Sequence, residues 1–511
     1  MAYRTIPELL DAAVERGPGK VWLFYGDQRY SYAEAAGRIA AMAGGLAERG
    51  IGRGSLVLST ARNSPAYLLC WLATVRLGAV FVPVNPSSAP AELAGLVAQT
   101  RPQLVVTDAD LWDAVGAGSG GSGGKVHVDD LSAGPGPAGP GQAPPAAARP
   151  DDPAVLIPTS GTTGRSKLVT QTHRAYVMAG EGFPYWMQLT AGDRLMTSLP
   201  LFHVNAPAYS VLGSLAAGAS LVLLPRFSAS TFLDSARRYG ATEFNAIGAM
   251  LEMLMNQPAR PDDADNPLRR CYTGPSPPKE RHLQIEERFG IEIVCGYALS
   301  ESPYGLCWRH GTRPYGTLGS LRQHPYLGAV NEGRVMEDGH EVAPGGVGEL
   351  ELRNPALMLG YWGMPEETGQ VLVDGWLRTG DLVRDNGDAT FTFVGRRKEV
   401  IRRRGENLSP AEVEAALAEH PDVVEAAVVG VPSELTEEEV KAFVVLREGA
   451  PGELAAVREL AARRLARFKV PRYLEVLDAL PHTPTGRVAK HQLPRELTGH
   501  EWDAEGKGSS R

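Results

Sequence analysis

The chain has 511 residues, with 51 Lys and Arg against 59 Asp and Glu, so its formal charge is −8. A single hydrophobic core stops growing at about 250–300 residues, so this length predicts at least two domains. A composition with 43% hydrophobic and 22% charged residues excludes a fibrous or wholly disordered chain. The acidic balance argues against a protein that binds nucleic acid through bulk positive charge.

The first hundred residues alternate helical and strand-like patterns. Residues 31–49 carry apolar side chains at spacings of three and four and end at Gly50, which predicts an amphipathic helix. Residues 55–58, 79–84 and 103–107 are short apolar runs between turn residues, as expected of buried parallel strands. This alternation predicts an α/β architecture.

Residues 116–150 are rich in Gly and Pro and predict a solvated connector, not a domain boundary. A second region of parallel strands is expected from residue 151 to about 319. Its strands are predicted at residues 220–224, 243–247 and 291–295, with a helix at 229–239.

The pattern changes twice in the last third of the chain. Residues 326–393 contain short strand-like runs with frequent Gly turns, which favours a small antiparallel or barrel-like unit. Beyond residue 398, two helices and two strands alternate again, at 410–420, 423–429, 440–446 and 453–467. We therefore predict an α/β multi-domain protein. Its large N-terminal domain, residues 1–397, has two parallel-type αβ subdomains and a small β-barrel-like unit, and a small α+β C-terminal domain follows at 398–511.

Sparse cysteines and the absence of long apolar stretches exclude other classes. The four cysteines lie far apart without a CxxC pair, which excludes a disulfide scaffold and a zinc site: Cys70, Cys271, Cys295 and Cys307. The N-terminal residues contain no apolar core of a signal peptide, and no apolar run approaches the roughly 20 residues of a membrane span. We expect a cytoplasmic enzyme with no membrane or nucleic-acid partner.

The strongest local signal is the sequence Thr-Ser-Gly-Thr-Thr-Gly-Arg-Ser-Lys at residues 159–167, directly after the apolar run 154–157. Glycines let the backbone approach a phosphate closely, hydroxyl and N–H groups donate to its oxygens, and a lysine adds charge. The spacing Gly161-x-x-Gly164-x-x-Lys167 differs from the Walker A pattern. The segment is therefore interpreted as a phosphate-binding loop of another type, with a mobile Ser/Thr/Gly turn as the alternative.

Further motifs follow in a fixed order, and together they resemble the adenylate-forming superfamily of acyl-CoA synthetases, luciferases and nonribosomal peptide adenylation domains. The resemblance covers nearly the whole chain. The matching segments are PLFH at 200–203, YALSE at 297–301, GWLRTGD at 375–381, GRRKE at 395–399 continuing to RGENLSP at 404–410, and PTGR at 484–487. The runs PLFHVNA and GRVAKHQLP are most similar to the crotonobetaine/carnitine-CoA-ligase-like branch.

The resemblance implies an ATP-dependent ligase. An acid oxygen attacks the α-phosphorus of ATP, pyrophosphate leaves, and a second nucleophile then displaces AMP from the adenylate. The implied cofactors are ATP and Mg²⁺, with CoA as co-substrate. The resemblance also implies that the C-terminal domain is mobile and swings about a hinge at Lys398.

The resemblance assigns a role to each motif residue. The residues implied to hold the phosphates are Thr159, Ser160, Gly161, Thr162, Thr163, Gly164 and Lys167. Glu301 is implied to ligate magnesium, and Ser300 keeps the hydroxyl of the usual Thr. The residues implied at the adenosine are Tyr297 with the backbone of Gly274, Pro275 and Ser276 at adenine, and Asp381 with Arg396 at ribose. His203 is expected near the substrate, with a satisfied core histidine as the alternative.

The sequence departs from the family at its last motif, where Arg487 stands in the position of the catalytic lysine. Arginine is a longer, planar cation and does not replace lysine without a change of geometry. Lys490, three residues further on, is the alternative cation. The phosphate loop also has Ser166 for the usual Pro and Leu168 for the usual Gly, which we expect to be tolerated.

Three functions remain open from the sequence. The first is an AMP-forming acid–CoA ligase. The second applies the same chemistry to nitrite, so that an arylamine is diazotised in bacterial secondary metabolism, and the third is a nucleotide-binding pseudoenzyme. The acid is not specified by the sequence, and neither is the oligomeric state. Candidate neighbours of the acid, by motif position, are Asn205, Asn245, Gly248, Gly319 and His324.

Overall fold

A computed structural model gives the fold, and it describes residues 5–113, 115, 124–132, 147–159, 166–274, 276–403, 406–433, 438–450, 452–465, 467–483 and 488–506. The chain divides into two compact units. The first unit comprises Met1–Arg334, Glu351–Thr379 and Gly387–Phe391, and the second comprises Val335–Leu350, Gly380–Asn386 and Thr392–Arg511. The domain boundary expected between residues 397 and 398 stays a prediction.

The described residues form helices and strands along the whole chain. The α-helices are α1 (Ile6–Arg16), α2 (Tyr32–Glu48), α3 (Pro65–Arg76), α4 (Pro90–Thr100), α5 (Val128–Ser132), α6 (His173–Met187), α7 (Leu212–Ala217), α8 (Phe232–Tyr239), α9 (Gly248–Met255), α10 (Lys279–Phe289), α11 (Pro365–Val371), α12 (Pro410–Ala418) and α13 (Leu454–Arg464). A π-helix, Ala206–Val211, directly precedes α7.

The strands of the first half of the chain are β1 (Val21–Tyr25), β2 (Gln28–Ser31), β3 (Leu56–Thr60), β4 (Val80–Pro83), β5 (Leu104–Thr107), β6 (Gly124–His127), β7 (Pro153–Thr159), β8 (Lys167–Thr172), β9 (Arg194–Thr197), β10 (Ser220–Leu223), β11 (Glu243–Asn245), β12 (Arg270–Thr273), β13 (Glu292–Tyr297) and β14 (Leu306–Cys307). Those of the second half are β15 (Ser320–Leu321), β16 (Glu332–Glu337), β17 (His340–Glu341), β18 (Val347–Arg353), β19 (Gly360–Tyr361), β20 (Leu372–Val373), β21 (Trp376–Asp385), β22 (Phe391–Arg396), β23 (Ile401–Arg403), β24 (Glu406–Leu408), β25 (Val423–Pro432), β26 (Glu438–Leu446), β27 (Tyr473–Val476) and β28 (Trp502–Asp503).

Two large sheets form the first unit. Their strand orders are β19-β8-β7-β4-β3-β5-β6 and β15-β14-β13-β12-β11-β9-β10-β1-β2. Strands β1, β10, β9, β11, β12 and β13 pair in parallel, and so do β7, β4, β3, β5 and β6. Their apolar side chains are buried, as expected of parallel sheets covered by helices. The α/β prediction is confirmed, and helix α2 begins at the capping box of Ser31 and Glu34.

The two large sheets correspond to the two αβ subdomains that were predicted, but neither sheet is built from one continuous segment of the chain. Strand β1 lies in the nine-stranded sheet, where Leu23 pairs with Leu221 of β10. Strands β7 and β8, which follow residue 151, lie in the seven-stranded sheet with β3 and β4. In addition, β7 and β8 pair antiparallel to each other. The sheets therefore exchange segments of the chain, which the local pattern of apolar residues does not indicate.

The interpretation of residues 116–150 as a solvated connector is wrong for residues 124–132. Strand β6 extends the seven-stranded sheet by pairing in parallel with β5. Helix α5 follows at once and buries Val128 and Leu131 in the hydrophobic core. The apolar side chains within this short stretch outweigh the Gly and Pro content of the sequence around it, part of which lies outside the described residues.

The remaining strands confirm the change of pattern predicted after residue 326. Short strands form a six-stranded sheet with the order β17-β16-β18-β21-β20, and β22 lies beside β21. In the second unit, β25, β26, β27 and β28 form a four-stranded sheet. Its core includes Val413 and Leu417 of α12 together with Val428 and Val440. In the part of the chain that the structure describes, no helix has the length and apolarity that a membrane crossing requires.

Glu243 is an exception among the buried strand residues. Its side chain is fully buried in β11, and neither carboxylate oxygen accepts a hydrogen bond from a described residue. Burial raises the pKa of Glu243 well above its ordinary value, and the negative charge of Asp193 raises it further. Burial in the native protein therefore favours the protonated form of this carboxyl.

We expect Glu243→Gln to stabilise the protein increasingly as the pH rises. Because the native pKa of Glu243 lies above the unfolded one, the native state carries no penalty below the unfolded pKa. Above it, the penalty grows by up to about 1.4 kcal/mol per pH unit, until the native pKa is reached. Urea unfolding of the wild type and the variant between pH 5 and pH 8 measures the gain. The exposed Glu15→Gln is the control, and a gain independent of pH would contradict the assignment.

Candidate functional site

Six parallel strands of the nine-stranded sheet end at one edge, and predicted site residues lie at the ends of three of them. Asn245 ends β11, Gly274 follows β12, and Tyr297 ends β13. A Cβ atom on Gly274 would lie 2.1 Å from the carbonyl oxygen of Gly296, so only glycine permits this approach of the two strand ends. Ligands of α/β proteins bind at the carboxyl ends of such strands.

The adenine segment is held to the loop that follows β14. The Oγ of Ser276 accepts a hydrogen bond from the N–H of Gly316 at 3.3 Å. The backbone of Tyr297 also lies close to Gly305. A Cβ atom on Gly305 would contact the carbonyl oxygen of Tyr297 at 2.4 Å, so glycine is needed there as well. Pro275 lies outside the described residues.

Lys167 lies at the start of β8, where it pairs with Thr159 at the end of β7. The two residues thus hold the two ends of the predicted phosphate loop, of which Ser160, Gly161, Thr162, Thr163 and Gly164 lie outside the described residues. The short strand β19 runs antiparallel to β8, with Tyr361 opposite Val169. This pairing places the Nζ atom of Lys167 4.4 Å from the centre of the Tyr361 ring, which is a cation–π contact.

Glu301 contacts the same tyrosine from another direction. The Tyr361 hydroxyl donates a hydrogen bond to Oε1 of Glu301 at 3.0 Å, and the N–H of Met358 donates to the Glu301 carbonyl at 2.8 Å. Burial raises the pKa of Tyr361, and the adjacent Glu301 carboxylate raises it further, so the phenol remains a donor. We call Lys167, Glu301 and Tyr361 the Tyr361 cluster.

Gln171 fixes the neighbouring residue of the predicted magnesium segment. Its fully buried side chain lies on β8, and Nε2 donates to the Ser300 carbonyl oxygen at 2.6 Å. Sequence reasoning identified Lys167, Ser300 and Glu301 but missed Tyr361 and Gln171. Neither has a local signal, except that Tyr361 follows Gly360, whose φ of +140° requires glycine.

His203 lies elsewhere in the first unit, next to the π-helix. It is half-buried and lines a small, largely apolar cavity together with Trp71, Tyr176, Phe202 and Pro207. Its ring also contacts that of Phe202, with the ring centres 4.5 Å apart. The position beside a cavity is compatible with the predicted place near a substrate, and the role stays a prediction.

The structure brings together two of the five candidate neighbours of the acid. Nδ2 of Asn245 donates to Oδ1 of Asn205 at 2.6 Å. His324 instead lies in the core, with Nε2 3.4 Å from Oε2 of the buried Glu181. Gly248 begins helix α9, and Gly319 follows a turn with its backbone close to that of Cys307.

In the second unit, the two residues predicted at the ribose contact each other. Nε of Arg396 lies 2.7 Å from Oδ1 of Asp381, whose side chain is only 1% exposed against 43% for Arg396. The carboxylate of Glu349 accepts a hydrogen bond from the backbone N–H of Gly380, next to Asp381, at 2.8 Å. It also accepts one from the side chain of Arg397, next to Arg396, at 2.7 Å. A buried carboxylate with an exposed arginine beside it offers hydrogen-bond acceptors and a donor in one place.

The predicted hinge residue Lys398 lies in a 3₁₀ turn, Arg397–Glu399, and its side chain lies outside the described residues. The segments on either side of the turn contact each other, since the Ser409 hydroxyl donates to the Val394 carbonyl. A Cβ atom on Gly395 would lie 2.5 Å from the Ser409 oxygen, so this contact depends on glycine. The hinge itself stays a prediction.

Lys490 is an ion-paired cation within the second unit. Its Nζ atom lies 2.7 Å from Oε1 of Glu414 and 3.2 Å from Oε2 of Glu399. Burial raises the pKa of Glu414, while the Lys490 charge opposes that shift. Lys490 therefore joins α12 to the turn that contains Lys398, and its charge is already balanced there. Arg487 lies outside the described residues.

Comparison with known proteins decides the family. Residues 10–362 match the family model described as AMP-binding enzyme, and residues 412–487 match that of the AMP-binding enzyme C-terminal domain. The chain belongs to the AMP-binding enzyme family. The first match alone covers more than half of the chain, so the membership does not depend on the second.

Individual relatives are similar over almost their whole length. The indoleacetate–CoA ligase of Aromatoleum aromaticum is 34% identical over 512 residues, covering 97% of this chain and 98% of the relative. The crotonobetaine/carnitine–CoA ligase of Salmonella agona is 30% identical over 491 residues, covering 91% of this chain and 93% of the relative. The ATP-bound structure of MatB from Rhodopseudomonas palustris has a TM-score of 0.86 at 28% identity, covering 95% and 97% of the two chains.

These matches confirm the predicted superfamily, including its crotonobetaine/carnitine–CoA-ligase-like relatives, and the predicted fold. They also confirm the prediction of an AMP-forming ligase of the acid–CoA ligase kind. Family membership implies ATP and CoA as substrates. The roles of individual residues, the metal and the acid remain proposals.

We expect Lys490→Ala to loosen α12, because the variant removes the cation that is paired with the half-buried Glu414 carboxylate. Amide hydrogen exchange measures this local opening, and we predict exchange in Pro410–Ala418 about 10-fold or more faster than in the wild type. The control is Lys469→Ala, which removes a more exposed ion pair with Glu412 on the same helix and should change exchange little. Equal exchange rates in the two variants would show that Lys490 does not hold this helix.

Proposed function

We propose that this protein uses ATP to join a small carboxylic acid to CoA. A carboxylate oxygen of the acid forms a bond to the α-phosphorus of ATP, and the bond from that phosphorus to the β-bridging oxygen breaks, releasing pyrophosphate. The sulfur of CoA, having lost its proton, then bonds to the acyl carbon, and AMP leaves with the former carboxylate oxygen. Such transfers need mainly positioning and neutralisation of charge.

The Tyr361 cluster is the observation that supports the proposal best. The segments predicted for phosphate and for magnesium are far apart in sequence, yet Lys167 and Glu301 both contact Tyr361. In our proposal, Lys167 holds the phosphates together with the loop at residues 159–164, and Ser300 lies beside them. A cation and a carboxylate fixed around one ring suit a ligand that carries both phosphate charge and a divalent cation.

The donor set around Glu301 fits magnesium bound through a nucleotide. Among the residues that the structure describes, no group of three or more His, Cys, Asp or Glu side chains is arranged to hold a metal. Mg²⁺ in nucleotide sites is held by one or two carboxylates together with phosphate oxygens, so a single Glu301 is sufficient. Bound there, the ion would neutralise charge on the phosphate oxygens.

The remaining ligand groups are assigned by the residues that follow the strands. Tyr297 and the backbone of Gly274, Pro275 and Ser276 would hold adenine, and the Asp381 carboxylate would accept the ribose hydroxyls with Arg396 beside it. The position of Asp381 supports this role, because its buried carboxylate lies 2.7 Å from Nε of the more exposed Arg396. His203, beside its apolar cavity, would lie on the side of the acid.

Arg487 is our choice for the cation that neutralises charge at the reacting phosphate. The alternative, Lys490, is already paired with Glu399 and Glu414, so it would have to leave two carboxylates before it could act. In this proposal, residues 398–511 form the mobile C-terminal domain, Lys398 is its hinge, and Lys490 holds the hinge turn to α12.

The test is a measurement of AMP release with ATP, Mg²⁺ and a panel of small carboxylic acids, with and without CoA, and in a separate reaction with nitrite and an arylamine. We expect AMP to form only when an acid and CoA are both present, while pyrophosphate–ATP exchange requires the acid alone. Glu301→Gln should lower both rates by about 10²-fold, typical of losing one charge-stabilising group. Glu15→Gln, an exposed carboxylate outside the site, is the matched control.

Two results would contradict the proposal. AMP release that requires nitrite and an arylamine, with no response to CoA, would indicate diazotisation instead. Binding of ATP without release of AMP or pyrophosphate under any of these conditions would indicate a nucleotide-binding pseudoenzyme.

A further inference from the structure

The amide pair Asn205–Asn245 lies at the edge of the sheet where the nucleotide is proposed to bind. Asn245 ends β11, and the next two strands of the sheet, β12 and β13, lead into Gly274 and Tyr297. An acid that attacks the α-phosphate must lie next to the nucleotide. The end of β11 is beside the strand ends at which the nucleotide is proposed to bind, so it is a suitable place for the acid. Asn205 comes directly before the π-helix, a type of helix that is frequent at functional sites.

Asn245 carries a buried acceptor without a donor. Its side chain is 1% exposed, and Nδ2 is used in the hydrogen bond to Asn205. Its Oδ1 is also buried and accepts no hydrogen bond from any residue that the structure describes. A buried carbonyl oxygen without a donor costs free energy, and a ligand with a suitably placed N–H or O–H group would remove that cost.

The surroundings of the pair select against a cationic donor. Tyr272 pairs in register with Asn245 on the next strand, so both side chains lie on the same face of the sheet. The Tyr272 hydroxyl accepts from Arg322, a buried guanidinium that also donates to the Tyr209 hydroxyl at 2.7 Å. Among the described residues, its acceptors are two phenols and two backbone carbonyls, with no carboxylate.

Glu243 is the carboxyl nearest to this pair along β11. It lies two residues before Asn245 and on the same face of β11, but it is fully buried, and burial raises the pKa of its carboxyl well above the ordinary value. The face therefore combines an open acceptor, two phenols and a guanidinium that donates to no described carboxylate. An ammonium group would be repelled here, whereas a hydroxyl or an uncharged arylamine would not.

We propose that Asn245, held in place by Asn205, is a specificity-determining residue, and that the preferred acid carries an uncharged hydroxyl or amino group that donates to Asn245 Oδ1. This inference rests on the proposed function, since it concerns the acid of the same reaction. It excludes acids whose second polar group is a quaternary or primary ammonium. A site that is built to bind a donor also discriminates strongly against an analogue that lacks one.

The experiment measures the rate of pyrophosphate release from ATP with acids that differ in one substituent, and compares kcat/KM between them. The probes are benzoic and cinnamic acids that carry a hydroxyl, amino, methyl or trimethylammonium group at the meta or para position. We expect kcat/KM for the best hydroxyl or amino acid to exceed that of its methyl analogue by about 10²-fold or more. In Asn245→Leu this ratio should fall below about 10. The cause should be a lower kcat/KM for the hydroxyl or amino acid, with that of the methyl acid little changed.

Two further variants keep the test decisive. Asn205→Ser removes the support of Asn245 without changing it and should reduce the same ratio, even if Asn245→Leu folds poorly. Asn266→Leu is the matched control. In the part of the chain that the structure describes, the Asn266 side chain bonds to the backbone of Asp263, Leu268 and Phe289, so this variant should leave the ratio unchanged.

The outcomes separate the two proposals. If acids are adenylated but the hydroxyl-to-methyl ratio is close to one, or is unchanged in both pocket variants, the assignment of Asn245 is wrong and the ligase function stands. If the trimethylammonium acids are the best substrates, the inference is equally overturned. If no acid of any kind releases pyrophosphate, the proposed function fails and this inference fails with it.

Discussion

The account depends on the contact of one buried phenol with two opposite charges. Tyr361 donates to the Glu301 carboxylate while its ring faces the Lys167 ammonium. The pairing of β19 with β8 places Tyr361 beside Lys167, and Gln171 of β8 donates to the carbonyl oxygen of Ser300, next to Glu301. The short strand β19 therefore brings Tyr361 into contact with two segments that are distant from it in sequence, and this contact underlies the proposed site for charged ligand groups.

The architecture of the sheets explains why the other proposed site residues of the first unit lie at one sheet edge. The carboxyl ends of parallel strands lie at one edge of the sheet. Asn245, Gly274 and Tyr297 therefore lie at neighbouring strand ends, although about 50 residues separate Asn245 from Tyr297 in the sequence. Glycines at the strand ends allow a closer approach of backbone to backbone than any side chain would permit, as Gly274 and Gly296 show. The shape of this sheet edge is thus set by backbone geometry, and a few polar side chains lie along it.

Much of this arrangement is predictable from sequence, where the determining interactions are local. Helix α2 is specified by its capping box, and the buried strands by short apolar runs between turns. The exchange of β1, β7 and β8 between the sheets is not predictable in this way, because it depends on pairing between distant segments. Motif resemblance identified Lys167 and Glu301, but Tyr361 and Gln171 contact them only after the sheet has formed. The same holds for the ion pairs of Lys490, whose partners Glu399 and Glu414 lie far away in the chain.

The most direct test of the central claim replaces Mg²⁺ by Mn²⁺ and follows the relaxation of water protons during titration with ATP. The account predicts that Tyr361→Phe weakens the binding of the Mn²⁺–ATP complex by about 10-fold or more, because the Glu301 carboxylate loses its hydrogen-bond donor. ATP binding without the metal should change little, since the phenyl ring still faces Lys167. Unchanged affinity for Mn²⁺–ATP in this variant would contradict the account.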